Sequence, residues 1–327
     1  MASQSDPGST TSRLTYEEPM RKLIAALLIA TLVHGAASAQ KAPRAIWTWE
    51  QESYAMLEKE QAAQSAITFL KAKGIATVYL YADAYQGRNL IVSHPELYRA
   101  LIRKLRKSGI QAYALLGSAY LNTERYILPA RRADALAMLH RVLVYNAASA
   151  PEERFKGINL DIEPHILDEW DKDRMVLLRN FLDMSADLME LKRKYKQTLL
   201  IGPAIPFWWD NIPMEWRGKR KQVSEHTQDL YDYVALMDYR DRAEGDDGII
   251  AHAQKEMAYG KAIGRTVMVG IETTPNEIQK VSFDHLREAD MERELGIAER
   301  SFKSHSAFGG FVIHHYRGYR RWLERRP

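Results

Sequence analysis

Short apolar runs rich in β-branched and aromatic residues recur along the chain after Gln40, and segments of helical periodicity lie between them. The segment around Phe181 shows the helical pattern best, because its apolar residues follow the i, i+3, i+4, i+7 spacing of one helix face. The predicted strands are Ala45–Trp49, Thr77–Tyr81, Gln111–Leu116, Gly157–Ile162, Thr198–Ala204, Tyr233–Met237, Thr266–Ile271 and Gly310–His314. The predicted helices are Glu58–Lys73, Pro95–Ser108, Arg131–Ala147, Lys172–Lys194, Glu225–Leu230, Ile249–Ile263 and Asp284–Ser304.

This alternation of strand and helix predicts the fold class. Eight strands alternating with helices favour a single (β/α)8 TIM barrel. A doubly wound open sheet is the competing α/β fold, and it usually carries a glycine-rich phosphate loop after its first strand. Here the first strand runs into Trp47-Thr48-Trp49-Glu50 instead. The segment Trp208–Lys221 is predicted to be a long loop after the fifth strand.

The N-terminal segment has the pattern of an export sequence. Met20-Arg21-Lys22 precedes the apolar run Leu23–Val33, and Ala37-Ser38-Ala39 follows it as a cleavage site. The run is shorter than the roughly 20 residues that span a bilayer, which makes a membrane anchor or a buried helix the less favoured alternatives. We therefore predict an N-terminal extension and signal peptide over residues 1–39, a barrel over residues 40–327 with no integral membrane segment, and export to the periplasm or medium of a bacterium.

Composition excludes several kinds of chemistry. The 327 residues include no Cys, which rules out disulfides, thiolate zinc sites and a cysteine nucleophile. The net charge of +4 is small, and no nucleic-acid-binding module is recognisable, so no nucleic-acid partner is expected. His165, His314 and His315 could suggest a metal, but the adjacent His314 and His315 would point to opposite faces of a strand. No metal and no cofactor are predicted.

Carboxylates collect where the predicted strands end. The active site of a (β/α)8 barrel lies at the C-terminal ends of its strands. Close carboxylates there split their pKa values, and this split suits acid–base work on one substrate. Six of the eight predicted strands carry or lead into such a group, namely Glu50, Asp83, Asp161 with Glu163, Asp210, Asp238 and Glu272.

The fourth strand carries the strongest local pattern. Asn159, Asp161 and Glu163 alternate with apolar residues, so on a strand the three polar side chains lie on one face. Parallel barrel strands are usually apolar on both faces. Three polar groups at the end of such a strand therefore indicate chemistry rather than packing.

The segment Lys156-Gly-Ile-Asn-Leu-Asp-Ile-Glu163 resembles the D-G-x-D-x-D-x-E motif of family 18 glycoside hydrolases, the chitinase-like barrels. The resemblance implies that Glu163 is the catalytic acid and that Asp161 orients it and the substrate acetamido group. Met237 and Tyr239 match the family's sixth-strand pattern. Lys156, Asn159 and Arg240 stand where the family has Asp, and His314 stands near an expected Trp.

A second resemblance competes with the first. Glu163-Pro164 together with Glu272 is similar to the retaining glycosidases that use Glu residues on the fourth and seventh strands, although Ile162 replaces the usual Asn. The two resemblances imply the same barrel, the same glycan chemistry and the same Glu163. They differ in the second catalytic group.

These patterns predict an exported glycoside hydrolase that acts on an oligosaccharide or polysaccharide, which could contain amino sugars. Cleavage needs a proton donor at the leaving oxygen, for which Glu163 is the candidate, and a second group at the sugar carbon. That second group is Glu272 as nucleophile or the substrate's acetamido group held by Asp161 and Tyr239, with Asp238 as a third candidate. The predicted substrate-binding residues are Glu50, Asp83, Asn159, Trp208, Trp209, Asp210, Arg240, His315 and Tyr316.

Two other functions remain open from the sequence. The replacements at Lys156 and Arg240 make an inactive barrel that only binds glycan the main alternative. Such a binder should lack a second carboxylate near Glu163. A lyase or aldolase would need a lysine at a strand end, and no predicted strand ends in one.

Overall fold

The computed structural model describes residues 41–325 together with Gln4 and Gly8. Eight parallel strands close into a barrel in chain order, and the first strand pairs with the last through Ala45 and Val312. The barrel strands are β1 (Arg44–Thr48), β2 (Ile75–Tyr81), β3 (Gln111–Leu116), β4 (Gly157–Leu160), β5 (Leu200–Pro206), β8 (Tyr233–Met237), β9 (Thr266–Glu272) and β10 (Phe308–His314). The predicted (β/α)8 fold is confirmed. The predicted extension and signal peptide fall outside the described residues, apart from Gln4 and Gly8.

Helices follow each barrel strand and surround the barrel. They are α1 (Glu50–Glu58), α2 (Glu60–Ala72), α3 (Leu90–Ser93), α4 (Pro95–Lys107), α5 (Arg132–Ala147), α6 (Trp170–Tyr195), α7 (Val223–Leu230), α8 (Ile249–Ile263), α9 (Glu288–Phe302) and α10 (Tyr316–Arg325). The sequence pattern missed α1, which begins directly after β1 and buries Tyr54, Met56 and Leu57. Within residues 41–325, no helix combines the length and the apolar character needed to cross a bilayer.

The segment predicted as a long loop after the fifth strand is ordered. A short 3-10 turn over Phe207–Asn211 leads into an antiparallel hairpin of β6 (Pro213–Trp216) and β7 (Lys219–Gln222). Arg217 and Gly218 both have positive φ, 48° and 72°, as a tight two-residue hairpin turn requires. Met214 and Trp216 alternate with exposed residues and are buried, and Trp216 packs against Asp183 of α6 and His226 of α7.

The interior of the barrel is filled by aromatic rings. Trp47, Tyr79 and Tyr233 are almost fully buried there, and Tyr113 packs beside them. Glycines leave the space for these rings. A Cβ at Gly157 would lie 2.4 Å from the Tyr113 ring.

Asn159 belongs to this interior layer, which corrects its prediction as a substrate-binding residue. It is fully buried. Its Oδ1 accepts a hydrogen bond from Trp47 Nε1 at 2.8 Å, and its Nδ2 donates to the Gly202 carbonyl at 3.2 Å. A buried amide must satisfy its polar atoms internally, and here it does so by linking three strands of the barrel.

Candidate active site

The end of β4 presents Asp161 and Glu163 at the C-terminal mouth of the barrel. The Asp161 backbone N–H donates to the Leu116 carbonyl at 2.7 Å, so β4 stays paired with β3 up to that residue. Pro164 then starts a 3-10 turn, and the Glu163 side chain keeps 25% of its surface exposed. Its Oε1 lies 3.7 Å from His165 Nε2.

The two carboxyl groups of β4 hold protons more tightly than usual. Burial raises the pKa of Asp161 well above its ordinary range, and the negative charges of Glu163 and Glu50 raise it further. Burial also raises the pKa of Glu163, although a protonated His314 would lower it in part. Burial lowers the pKa of His165 to about 4, so this imidazole is neutral at pH 7. Glu163 therefore sits where a carboxyl group can keep its proton.

Glu272, at the end of β9, has the opposite character. Its Oε1 accepts hydrogen bonds from the backbone N–H groups of Thr273 and Thr274 at 2.6 and 2.7 Å, and its Oε2 lies 2.6 Å from His314 Nδ1. Burial alone would raise the pKa of Glu272, but the His314 and Thr274 contacts outweigh it and lower the pKa below its ordinary value. This carboxylate stays ionised.

Tyr239, just after β8, interacts electrostatically both with the acids that follow β4, Asp161 and Glu163, and with Glu272. Its ring centroid lies 5.7 Å from that of His314. Burial raises its pKa well above the ordinary value, and the charges of Glu272, Glu163 and Asp161 add to that effect. The phenol therefore keeps its proton and remains a hydrogen-bond donor among three carboxyl groups.

A cavity of about 340 Å³ opens over the β4 acids. Glu50 lies in its wall at the first turn of α1, where its carboxylate accepts a hydrogen bond from the Ser118 hydroxyl. The lining residues are Trp49, Glu50, Ala119, Tyr120, Thr123, Glu124, Asp161, Glu163 and Ile166. On the other side of Glu163, His165 contacts Trp208 and Trp170 edge-on, with ring centroids 5.6 and 6.1 Å away. The site thus combines carboxyl groups with aromatic walls.

The structure brings together some of the predicted site residues. Glu50, Asp161, Glu163, Tyr239 and Glu272 form one electrostatically linked group at the barrel mouth. Trp208 reaches this group through His165. His315 lies beside His314, with ring centroids 4.8 Å apart, and burial lowers its pKa to about 4.

Two predicted ligand-binding acids have structural partners instead. Asp83 is 1% exposed, and its Oδ1 accepts hydrogen bonds from Arg141 at 2.6 Å and Asn89 at 3.0 Å. Asp210 is nearly buried and pairs with Lys255 at 3.2 Å. A buried carboxylate needs such partners to offset its lost hydration. Both predictions are corrected, because these acids hold loops and helices in place.

Asp238 and Arg240 belong to a second polar group behind the mouth. Asp238 is fully buried, and its Oδ1 lies 2.9 Å from His252 Nδ1. Burial raises the pKa of Asp238 to about 6. Arg240 is held by Asp247 at 2.7 Å and lies over the Phe207 ring. Asp238 is therefore not available as a third catalytic candidate. The Arg240 guanidinium already pairs with Asp247, so its prediction as a substrate-binding residue is corrected as well.

Two aromatic residues predicted to bind substrate are part of the core. Trp209 has no exposed surface and packs edge-on against Phe181 of α6, with ring centroids 5.0 Å apart. Tyr316 starts α10 and packs against Phe69 of α2 at 5.5 Å. Neither ring has a free face for a sugar, because each is enclosed by helices that the sequence pattern does not place beside it.

The sequence patterns suggested His165 and His314 as possible metal ligands, and placed His314 near an expected Trp, but their contacts with the acids were not predicted. The sequence positions alone contain a hint, because His165 follows Glu163 by two residues and His314 ends a strand. No cluster of three or more His, Asp or Glu residues with metal-site geometry lies within the described part of the chain.

Glu256 on α8 is a buried carboxylate behind the mouth and leads to a stability prediction. Both of its carboxyl oxygens are buried without a hydrogen bond of normal geometry among the described residues, and the nearby Ser224 only weakly offsets this burial. Burial raises its pKa to about 8, assisted by the charge of Asp210, against an ordinary value of 4.5. The folded protein therefore keeps this proton at pH values where the unfolded chain releases it. The stability that results is fully present below pH 4.5 and is lost as the pH rises to about 8.

We therefore expect Glu256→Gln to be more stable than the wild type at neutral pH. Its advantage in the free energy of unfolding should grow between pH 5 and pH 8, by up to about 1.4 kcal/mol per pH unit, and then level off. Urea unfolding of both proteins from pH 5 to pH 9 measures this difference, with the exposed Glu169→Gln as the control. A difference that is constant across this range would show that Glu256 does not keep its proton.

Comparison with known proteins supports the fold. No protein-family profile matches the chain, and no curated protein matches it either. Among solved structures, an exo-β-1,4-mannosidase from Opitutaceae bacterium strain TAV5 is similar, with a TM-score of 0.55 and 14% identity over 86% of this chain and 53% of the mannosidase. A family 18 chitinase from Cycas revoluta, solved with (GlcNAc)3, has a TM-score of 0.51 and 12% identity over 85% of this chain and 96% of the chitinase.

The chain shares the barrel fold of these two enzymes. It spans about half the length of the mannosidase and nearly the full length of the chitinase. At this level of identity the similarity concerns the fold, so the function has to be inferred from the residues at the barrel mouth.

Proposed function

We propose that the protein is a glycoside hydrolase in which Glu163 protonates the glycosidic oxygen. The observation that carries this proposal is that the pKa values of two carboxyl groups near Tyr239 are shifted in opposite directions. Burial raises the pKa of Glu163, whereas hydrogen bonds lower the pKa of Glu272. Glycoside cleavage needs a carboxyl group that keeps its proton and donates it to the leaving oxygen, and the ionised Glu272 supplies a compensating negative charge at the same barrel mouth.

The shape of the mouth suits a sugar ring. Its cavity of about 340 Å³ falls in the size range of small-ligand sites. Trp49 and Tyr120 line it together with Asp161 and Glu163, so the cavity presents both aromatic rings and acids. Flat rings stack on the C–H faces of sugars while polar groups bind the hydroxyls. The Tyr239 phenol supplies a further hydrogen-bond donor near Asp161, Glu163 and Glu272.

We further propose an amino-sugar-containing glycan as the substrate class. Asp161 and Tyr239 match the positions that hold the acetamido group in the family 18 motif. Burial and the neighbouring charges of Glu163 and Glu50 raise the pKa of Asp161, so it can donate a hydrogen bond to such a group. The Cycas revoluta chitinase of similar fold binds (GlcNAc)3. Export through the segment over residues 1–39 would bring the enzyme to extracellular glycans.

The two replacements that favoured an inactive glycan-binding barrel do not remove the acids of the mouth. Lys156 precedes β4 and lies at the opposite end of that strand from Glu163. Arg240 is paired with Asp247. An inactive binder was expected to lack a second carboxylate near Glu163, but the charge of Glu163 raises the pKa of Asp161. This second carboxyl group supports an enzyme over an inactive binder.

A hydrolysis screen tests this proposal. The exported chain would be incubated with aryl glycosides and oligosaccharides, each offered with and without N-acetyl groups, and compared with Glu163→Gln. We expect turnover by the wild type, best on N-acetylated substrates, and a large loss in the variant. Turnover of neutral sugars alone would remove the amino-sugar proposal and leave the role of Glu163 standing.

A further inference from the structure

The environment of Glu272 does not suit a nucleophile. Both of its oxygens are already occupied, Oε1 by the N–H groups of Thr273 and Thr274 and Oε2 by His314. The residue is also only 7% exposed. Hydrogen bonds that stabilise a carboxylate charge make that carboxylate a weaker attacking group, and attack would require an oxygen to leave its donors. Such a carboxylate is better placed to hold another side chain.

The side chain that Glu272 holds is His314, at the end of β10. An ionised carboxylate can only accept hydrogen bonds, so His314 Nδ1 must carry the proton in the 2.6 Å contact. In the neutral ring the other nitrogen, Nε2, then has a free lone pair. No hydrogen-bond partner for Nε2 is seen among the described residues. The ring is therefore oriented as a proton acceptor.

The His314 ring is linked to the cavity over the β4 acids through Trp49, which contacts the ring and also lines that cavity. Trp47 and Trp49, at and just after β1, contact the His314 ring edge-on at 6.0 and 5.8 Å. The titratable groups that face it are Tyr239 after β8, Glu272 on β9, His315 beside it on its own element, and Glu163 after β4. The His314 side chain is 23% exposed, so water can reach it.

We propose that His314, oriented by Glu272, is the general base that activates the attacking water. This inference rests on the proposed function and adds the second catalytic group to it. Glu272 acts through His314 and is a positioning residue. The pairing of a carboxylate with one ring nitrogen while the other nitrogen takes a proton follows the logic of carboxylate–histidine catalysis in hydrolases.

The reaction then balances in a single displacement. The water oxygen bonds to the anomeric carbon as the bond from that carbon to the leaving oxygen breaks. The water proton passes to His314 Nε2, and the Glu163 proton passes to the leaving oxygen. The resulting imidazolium is balanced by the Glu272 carboxylate, and solvent returns the proton from His314 to Glu163 before the next turnover.

This arrangement predicts the stereochemistry of the product. One displacement by water inverts the anomeric centre, whereas a Glu272 nucleophile or the substrate's own acetamido group would give two displacements and retention. Proton NMR of the first product formed, on the substrate of highest kcat/KM in the screen, decides between them. We expect the inverted anomer. A retained anomer would overturn the inference and leave Glu163 as the acid.

Variants separate the base from the acid. His314→Asn keeps an N–H near the position of Nδ1 but removes Nε2, and should lower kcat by about 10²–10⁴-fold with little change in KM. The loss should be similar for aryl glycosides with good and poor leaving groups. The loss in Glu163→Gln should shrink with a good leaving group. The exposed His94→Asn is the matched control and should keep full activity.

Rescue by imidazole tests the role of the missing ring. Adding imidazole to His314→Gly should restore at least about tenfold of the lost rate, and melting curves will show that both His314 variants are folded. Glu272→Gln should lower kcat by about 10²-fold, because its amide can donate to Nδ1 and place the proton on Nε2.

The outcomes separate the inference from the function on which it rests. Less than about threefold loss in folded His314→Asn, or no rescue of folded His314→Gly, would overturn the inference while Glu163→Gln still reports on the acid. A wild type that hydrolyses none of the substrates would remove both.

Discussion

Replacing Glu163 by Gln should lower kcat by about 10²–10⁴-fold for a glycan whose leaving group needs protonation. The amide has nearly the same shape as the carboxyl group but cannot donate a proton of suitable acidity. Burial raises the pKa of Glu163, so its acid form persists above the ordinary value of 4.5. Activity that depends on this acid is lost as the pH rises through the raised pKa, and kcat/KM against pH measures that alkaline limb.

The matched control for this variant is Glu169→Gln. Glu169 lies six positions further along the chain, is 46% exposed and faces Arg125 at 3.6 Å. Its replacement should leave kcat, KM and the pH profile unchanged. If Glu163→Gln were folded and hydrolysed a natural glycan as fast as the wild type, Glu163 would not be the proton donor.

Among substitutions near the site that add a single methyl group, Gly117→Ala should destabilise the protein most. Gly117 follows β3 with φ of +111°, and a Cβ there would lie 2.0 Å from the Asp161 carbonyl oxygen. That oxygen belongs to the backbone, which cannot turn away as a flexible side chain can. We expect a loss of about 3–5 kcal/mol in the free energy of unfolding, at the upper end of single substitutions. Urea unfolding measures it.

The same substitution should also reduce activity in the molecules that remain folded. The new methyl group would displace the backbone carbonyl of Asp161, and Glu163 follows two residues later. Both acids would therefore be shifted from their positions. Gly109→Ala is the control, because Gly109 also has positive φ, +78°, but has open space around its Cβ position. It should cost only about 1–2 kcal/mol and leave kcat unchanged. Equal losses in the two variants would show that β3 and β4 can separate without penalty.

Much of the fold was readable from local pattern. Eight apolar runs at regular spacing correspond to the eight barrel strands, and β3 and β8 begin and end at the predicted residues. The hairpin of β6 and β7 was not recognised, because its strands are only four residues long and one of them is almost wholly charged. Helix α1 was missed because its first turn continues directly from β1 without a capping residue.

The candidate site was only partly readable. The alternation Asn159, Asp161, Glu163 indicated a polar strand face, and two of the three residues do reach the mouth. Asn159 does not, because Trp47, which lies 112 positions earlier, provides it with a partner inside the barrel. Asp83 was equally plausible by position, yet Arg141 from α5 neutralises it. Burial and pairing of this kind depend on residues distant in the chain, so no local pattern reports them.

By itself, the sequence determined the number and order of the barrel strands, the position of the mouth and the polar face of β4, since these depend on side-chain periodicity along a short segment. The tertiary structure alone decided which acids work together. It brought Glu272 to His314 across 42 positions and Glu50 towards Asp161 across the barrel. The pKa of each acid is set by burial and by such neighbours. The division of the carboxyl groups into proton donor, charged partner and structural anchor therefore appears only when the barrel closes.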